Sequence, residues 1–348
     1  MRYDLYNDRE KVAVFCYENG LVTEYQPLKP ALLPKQIVSA NAEGFTQWAR
    51  ERAIDLNTYQ HREMAHMLLG SRDRLAVTIM THMFSISDTF FCFPYGQYVS
   101  RDEICNPDDQ NAVSELILVS SDTSLRLRGI ATPNASTDGS FPKTWRYEKG
   151  EWWLYKLQSL AATRSEHDIS HALRDAGFDA AYYAFDGRSR TRIKSRNFVE
   201  PNTFFEPYDS FRYAFADKSD SDDVMYQNLA SLGAQFEAAY RRILLADALF
   251  MNTDRHTRNF GVIRSSETGD ALSIAPNFDN NQAYLANGGS RYSNAMLLDY
   301  KNRFGFTRTD KDDLAALVSA CSKYTYLKMA QETGAAFLNV IVFVNRKV

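Results

Sequence analysis

Apolar side chains in the middle of the chain recur at steps of three and four, the spacing of one face of an α-helix. They are Leu229, Leu232, Phe236, Tyr240, Ile243 and Leu244. The pattern predicts one buried helix that continues to about Phe250 and ends at Asn252 and Thr253. Two short β-forming runs follow at 260–264 and 271–276, separated by turn-forming residues at 265–270. We therefore expect a β-hairpin directly after the helix.

The rest of the chain mixes strand and helix patterns, which predicts an α+β fold. Asn19 and Gly20 lie between β-forming runs at 11–16 and 21–25, so the chain is expected to begin with a hairpin. Further strands are predicted at 124–130, 141–147, 152–156, 180–185 and 192–198, with an extended crossing at 203–207. Further helices are predicted at 42–52, 58–69, 113–118, 164–176, 311–320 and 324–344, and a buried aromatic core at 75–95.

Composition narrows the class of protein. The 348 residues are 45% hydrophobic, enough for two or three packed units, which we expect at 1–105, 106–207 and 208–348. With a net charge of -3, the whole protein is not strongly attracted to nucleic acid or to a membrane. Four scattered cysteines, Cys16, Cys92, Cys105 and Cys321, favour a reducing compartment. With no long apolar run and a charged N-terminus, the expected location is the cytoplasm.

Three polar residues follow the long helix at spacings that suit phosphoryl transfer. Asp254 and Asn259 are separated by four residues, and Asp279 follows the predicted hairpin. Neighbouring strands lie about 4.8 Å apart, so one Mg²⁺ at the open end of the hairpin could reach Asn259 and Asp279. An aspartate beside the attacking hydroxyl, with an asparagine and a second aspartate on the metal, is the set that kinases use. The alternative interpretation is an ordinary polar turn at a helix end.

A second candidate cluster has the order of a nucleotide-binding lobe. A turn-forming loop at 132–139 contains the single glycine Gly139. The strand at 141–147 follows it, and after a turn the next strand, at 152–156, ends in Lys156. Glu166 lies at the start of the next predicted helix, where it is expected either to pair with Lys156 or to favour the positive end of the helix dipole. Phe205 and Glu206, in the crossing segment, are the candidates for backbone hydrogen bonds to adenine.

The basic run at 187–196 has two interpretations. Its arginines and lysine are typical of a nucleic-acid patch. Alternating charges on a two-stranded ribbon also simply face water, and we favour this second interpretation over direct nucleic-acid binding.

The ordered motifs resemble those of the HipA-like serine/threonine kinases of bacteria. Those motifs are Asn252-Thr253-Asp254-Arg255-His256, Asn259-Phe260-Gly261, Phe278-Asp279 and Ser136-Thr137-Asp138-Gly139. The resemblance covers most of the chain and is strongest from about Ser136 to Asp279. It implies a two-lobed kinase-like fold with an additional N-terminal α/β subdomain.

The resemblance also implies roles for individual residues. Asp254 would be the catalytic base, and Asn259 and Asp279 would bind Mg²⁺. Lys156 would bind the phosphates of ATP with Glu166 as its partner. The phosphate loop would comprise Ser136, Thr137, Asp138 and Gly139. In characterised relatives a serine in this loop is autophosphorylated, which switches the kinase off; Ser136 has the similar position, with Thr137 and Ser140 as neighbours.

Partners follow from the same resemblance. The family includes toxins restrained by a small DNA-binding antitoxin, with an aminoacyl-tRNA synthetase as target, so a synthetase or another translation factor is the expected protein substrate.

Three residues depart from the family pattern. Asn280 replaces the usual glycine or serine after the metal aspartate, and Leu157 and Gln158 follow Lys156 where relatives often have glycines. The segment at 280–293 is expected to be mobile, and Asn280 is expected to alter how it moves. Leu157 and Gln158 are expected to tighten the phosphate loop. Two other functions therefore stay open: a small-molecule or lipid-headgroup kinase, and a pseudokinase that regulates a DNA-binding partner.

Overall fold

The chain begins with the predicted hairpin, in which Asn19 and Gly20 both adopt positive φ angles of 51° and 83°, as a tight two-residue hairpin turn requires. The computed structural model describes residues 1–52, 73–104, 111, 114, 143–187, 190–283 and 294–344. The elements predicted at 58–69, 113–118 and 124–130, the loop at 132–139 and most of the segment at 280–293 lie outside these residues. Within them, no helix has both the length and the apolar character that crossing a membrane demands.

The strands of the described residues are β1 Arg2–Asn7, β2 Glu10–Glu18, β3 Leu21–Pro27, β4 Phe90–Pro94, β5 Lys143–Glu148, β6 Glu151–Leu157, β7 Tyr183–Phe185, β8 Arg192–Arg196, β9 Thr203–Pro207, β10 Gly261–Ser265 and β11 Ala271–Ile274. These strands lie in three sheets, with orders β3-β2-β1-β4, β5-β6-β8-β7 and β11-β10-β9.

The α-helices of the described residues are α1 Ala42–Glu51, α2 Arg74–Met80, α3 Arg101–Ile104, α4 Leu160–Asp175, α5 Tyr208–Phe211, α6 Asp222–Ala230, α7 Ala234–Phe250, α8 Ala295–Phe304, α9 Arg308–Cys321 and α10 Lys328–Val344. The predicted hairpins and the helices at 42–52, 311–320 and 324–344 are thereby confirmed.

These elements divide into two compact units. The first comprises Met1–Leu157, Arg196–Glu206 and Val262–Leu272; the second comprises Gln158–Ser195, Pro207–Gly261 and Ser273–Val348. The three-segment division expected from the sequence stays a prediction.

Strand β4 of the first sheet is buried on both faces. Phe90 and Cys92 join one apolar cluster with Leu5 and Phe45, whereas Phe91 and Phe93 join a second cluster. Successive strand residues point to opposite faces. The unbroken aromatic run in the 75–95 segment is therefore explained by a strand with a core on each side.

The core of the second unit is helical. Buried residues of α4, α7, α8, α9 and α10 form one cluster, which includes Ile169, Leu249, Leu297, Leu314 and Phe337. The prediction of one long helix that carries Leu229 and Phe236 on the same face is wrong, because the chain forms two helices, α6 and α7. They are separated at Gly233, whose φ of 138° lies outside the helical region.

Candidate functional site

The residues after α7 form a tight loop that positions Asp254 and Asn259. Met251 ends the helix in the left-handed conformation, with φ 51°. The backbone carbonyl of Asp254 accepts hydrogen bonds from the His256 N–H at 2.9 Å and from the Asn259 side-chain Nδ2 at 3.0 Å. The Asp254 N–H in turn donates to Asn252 Oδ1 at 3.3 Å. The backbone of Asp254 is therefore fixed on both sides.

The bond from Nδ2 also orients the buried Asn259 side chain. Because the amide nitrogen donates to the Asp254 carbonyl, Oδ1 is the atom of this side chain that is suited to a cation. Amide and carboxylate oxygens are the ligands that Mg²⁺ prefers. The local geometry therefore fits the predicted magnesium role of Asn259.

Asp279 lies in a second loop, residues 277–280, which follows β11. It has a φ of 61°, a conformation that non-glycine residues adopt uncommonly and that is enriched in aspartate and asparagine. Its N–H donates to the Tyr183 hydroxyl at 3.2 Å. The loop also pairs with the backbone just before β7, since Asn277 forms an isolated parallel β-bridge with Ala180.

Arg255 brings these two loops together. Its Nη1 donates to the backbone carbonyl of Asn259 at 2.8 Å and to that of Phe278 at 2.6 Å. One nitrogen atom therefore contacts both loops, and residues 259 and 279 are positioned from a common point. The predicted pair of magnesium ligands lies on neighbouring pieces of backbone.

A buried carboxylate balances the charge of Arg255. Asp247 of α7 accepts from Nε and from Nη2, both at 2.9 Å, in the two-point geometry that is strong for arginine. Burial disfavours the charge of Arg255, but the Asp247 carboxylate and the nearby Asp279 outweigh it and raise the arginine pKa. Arg255 is therefore cationic at neutral pH.

Asn280, one of the departures from the family pattern, is part of this buried network. It is 1% exposed, its Oδ1 accepts from Arg255 Nη2 at 2.9 Å and Asn252 Nδ2 at 3.3 Å, and its Nδ2 donates to Asn277 Oδ1 at 2.9 Å. A glycine or serine could not make these contacts. Asn280 thus supports the loop that presents Asp279.

Sequence reasoning did not assign roles to Arg255, Asp247 or the three asparagines around them. A signal was present in Asp247, which lies within the apolar run Leu244–Phe250 of a helix predicted to be buried. A charged residue on such a helix is almost never buried unless it is paired. The adjacent arginine of the Asp254 motif is the partner, but their hydrogen bonds depend on a turn that the sequence does not specify.

The nucleotide-side candidates lie in different units. Lys156, 3% exposed, is in β6 opposite Lys143 in the first unit, and fully buried Glu166 is in α4 in the second. The expected position of Glu166 in the first helical turn is wrong, because Ser159 caps α4 and the helix begins at Leu160. The helix-dipole explanation for Glu166 therefore does not apply, and its pairing with Lys156 stays a prediction.

Gln158, a second departure, contacts the carboxylate of Glu166. Its Nε2 donates to Glu166 Oε2 at 2.6 Å, and both side chains are buried. A glycine at this position would leave that oxygen without the amide donor. Gln158 therefore fixes the orientation of Glu166 from within the second unit.

The two adenine-hinge candidates belong to β9. The Phe205 N–H donates to the Ser87 carbonyl at 3.0 Å. The Glu206 carboxylate pairs with Arg264 and accepts from the Lys35 N–H at 2.6 Å. Their role at the adenine stays a prediction. Ser136, Thr137, Asp138 and Gly139 lie outside the described residues.

The donor set is consistent with a magnesium site rather than with a zinc site. Among the residues that the structure describes, no group of three or more histidine, cysteine, aspartate or glutamate side chains could hold a metal ion. The predicted ligands, Asn259 and Asp279, are one amide and one carboxylate. They are hard oxygen donors that leave room for phosphate oxygens and water, as is usual for Mg²⁺.

Comparison with known proteins identifies the fold. No protein-family model and no curated protein matches the sequence. The structure is similar to that of HipA from Shewanella oneidensis MR-1, described in a complex of a toxin–antitoxin system with HipB and operator DNA. The TM-score is 0.58 and the identity 10%, and the match covers 97% of this chain and 94% of that one.

A second solved structure, the proinflammatory kinase CtkA of Helicobacter pylori, matches with a TM-score of 0.40 and 14% identity, over 57% of this chain and 88% of that one. The chain has a HipA-like kinase fold of mixed helix and sheet, which confirms the predicted fold class.

Proposed function

We propose that the chain is an ATP- and Mg²⁺-dependent serine/threonine protein kinase of the HipA-like type. The observation that carries the proposal is the contact of Arg255 with the backbone carbonyls of both Asn259 and Phe278. This contact places the loop with Asp254 and Asn259 beside the loop with Asp279. The HipA-like fold supports the same conclusion.

In this proposal each site residue has one task. Asp254 orients the acceptor hydroxyl and takes its proton. Asn259 Oδ1 and the Asp279 carboxylate hold magnesium, and Lys156, oriented by Glu166, holds the phosphates. Bound Mg²⁺ and ATP supply the neutralising charge and the phosphoryl group. The loop of Ser136, Thr137, Asp138 and Gly139 covers the phosphates, and Ser136 is the proposed site of autophosphorylation.

The partners are proposed from the same likeness. The HipA structure contains HipB and operator DNA, and a small DNA-binding antitoxin is the corresponding partner for this chain. The proposed substrate is a protein hydroxyl, on an aminoacyl-tRNA synthetase or another translation factor in the cytoplasm.

The test is transfer of labelled phosphate from γ-labelled ATP with Mg²⁺, followed by mapping of the phosphorylated residues. We expect transfer by the wild type, and a loss of about a hundredfold or more in Asp254→Ala and Asp279→Asn. Asp270→Ala is the matched control, because it removes an exposed carboxylate from the turn between β10 and β11. Equal transfer by all folded variants would refute the proposal.

The bond between Gln158 and Glu166 favours a second candidate function. Gln158 stands where the family pattern often has a glycine, and its bond to one oxygen of Glu166 is a departure that fits a pseudokinase, which binds nucleotide without turnover and regulates a DNA-binding partner. Binding of a non-hydrolysable ATP analogue with no phosphate transfer by the wild type would support this candidate. Labelled metabolites without labelled protein would instead indicate a small-molecule or lipid-headgroup kinase.

A further inference from the structure

Side chains from three separate elements hold the backbone around Asp279. Arg255, from the loop after α7, donates to the Phe278 carbonyl at 2.6 Å. The Tyr183 hydroxyl of β7 accepts the Asp279 N–H at 3.2 Å. Ser165 Oγ of α4 donates to the Asn280 carbonyl at 2.7 Å. Three consecutive residues are thus each fixed by a different part of the second unit.

These contacts surround an uncommon backbone conformation. Asp279 has a positive φ of 61°, and such a conformation persists where the surroundings determine it. Tyr183, Ser165 and Asn280 are all buried, which limits the access of water to their hydrogen bonds. The family's usual glycine or serine after this aspartate is replaced by Asn280, whose side chain is itself held by Arg255.

We infer that Tyr183, Ser165 and Asn280 are positioning residues that fix the backbone from which the Asp279 carboxylate extends for metal binding. This inference rests on the proposed magnesium role of Asp279. The loop of residues 277–280 is then held in place by side chains and does not move about a flexible residue. Because Ser165 directly precedes Glu166 in α4, the same contact also holds the part of α4 that carries Glu166 against the loop that carries Asp279.

The two hydroxyls allow a conservative test with matched controls. Tyr183→Phe and Ser165→Ala each remove one hydroxyl and leave the packing in place. Tyr208→Phe and Ser170→Ala do the same elsewhere in the second unit: the Tyr208 hydroxyl accepts from Asn228 Nδ2 at 3.0 Å, and Ser170 of α4 donates to the Ala181 carbonyl. All four side chains are buried.

The probe is Mn²⁺, titrated into the full chain with a saturating non-hydrolysable ATP analogue and followed by the electron paramagnetic resonance signal of free Mn²⁺. The loss of one hydrogen bond predicts about five- to tenfold weaker Mn²⁺ binding by Tyr183→Phe and by Ser165→Ala. The two controls should bind Mn²⁺ as the wild type does. Hydrogen exchange at the Asp279 amide should be faster in Tyr183→Phe alone, because that amide loses its acceptor.

The outcomes separate this inference from the proposed function. Binding by the wild type that is lost in Asp279→Asn and weakened in the two test variants supports both. If the test variants bind Mn²⁺ as tightly as the wild type and exchange the Asp279 amide equally slowly, the inference is wrong while the magnesium site stands. If the wild type binds no Mn²⁺ beyond that bound by Asp279→Asn, both are wrong.

Discussion

Arg255 and Arg264 are two buried arginines with the same bonding chemistry and different partners. Arg255 pairs with Asp247, and Arg264 pairs with Glu206; the two arginine side chains are 7% and 0% exposed. Each also donates to backbone carbonyls, as a guanidinium with five N–H groups can. In the second unit these carbonyls belong to the loops with Asn259 and Asp279.

In the first unit the backbone carbonyls that Arg264 holds belong to segments with no candidate chemistry. Its guanidinium donates to the carbonyls of Ala31 and Leu33 at 2.9 Å and to that of Gly269. Gly269 has φ +78°, and a Cβ atom there would lie 1.9 Å from the Ala31 oxygen. Arg264 therefore joins the segment after β3 to the turn between β10 and β11. Burial and pairing are common to both arginines, so the functional role proposed for Arg255 rests on the groups that it holds.

The largest expected effect is on stability, in Arg264→Leu. The substitution leaves the Glu206 carboxylate buried without its partner, which costs about 3–5 kcal/mol in the free energy of unfolding. Urea unfolding measures this value. The double variant Arg264→Leu/Glu206→Leu should regain part of the loss, because no unpaired charge remains. A single variant as stable as the wild type would contradict the structural role of Arg264.

A smaller effect is expected for Asn280→Gly, which tests whether the hydrogen bonds around Arg255 support the loop that carries Asp279. Arg255, Asn252 and Asn277 each lose a hydrogen-bond partner, so the free energy of unfolding should fall by about 1–3 kcal/mol. If the network serves the metal loop, phosphate transfer per folded molecule also falls and more Mg²⁺ is needed for half-maximal rate. An unchanged Mg²⁺ requirement would indicate a purely structural role.

The smallest effect concerns a third arginine, Arg241, whose partner Asp310 titrates. Burial alone would raise the pKa of Asp310, but hydrogen bonds from Arg241 and Thr307 outweigh it and hold the pKa below its ordinary 3.8. A depressed carboxylate pKa stabilises the fold above the ordinary value, and this contribution disappears as the pH falls below it.

Asp310→Asn should therefore lower the free energy of unfolding by about 1 kcal/mol near neutral pH. Urea unfolding over a pH series should show the difference from wild type shrinking below 3.8. A difference that does not vary with pH would show that the charge of Asp310 is not what stabilises the cap of α9.

Much of the fold around the site could be predicted from local sequence. The Asn19-Gly20 turn and the hairpin of β10 and β11 depend on local turn chemistry and β-forming runs, which short windows contain. The break at Gly233 was missed because Leu229, Leu232 and Phe236 keep helical spacing across it. The glycine itself was the signal that the stripe did not continue.

The candidate site could be predicted only as a set of residue types. The spacing of Asp254, Asn259 and Asp279 indicated the chemistry, and each lies in a loop as expected. The contacts of Tyr183 and Ser165 with residues 279 and 280 join positions about a hundred residues apart in sequence. No local pattern encodes such contacts, because they depend on how the helices and strands of the second unit pack.

The most direct measurement is the rate of Mg²⁺-dependent phosphate transfer per folded molecule in Arg255→Lys and Arg264→Lys, at a temperature where both are folded. Lysine keeps the charge and cannot reproduce the two-point bonds of either arginine. We expect a rate at least about tenfold lower in Arg255→Lys and a wild-type rate in Arg264→Lys. Equal rates in the two variants would contradict the assignment of the Arg255 loops as the site of phosphoryl transfer.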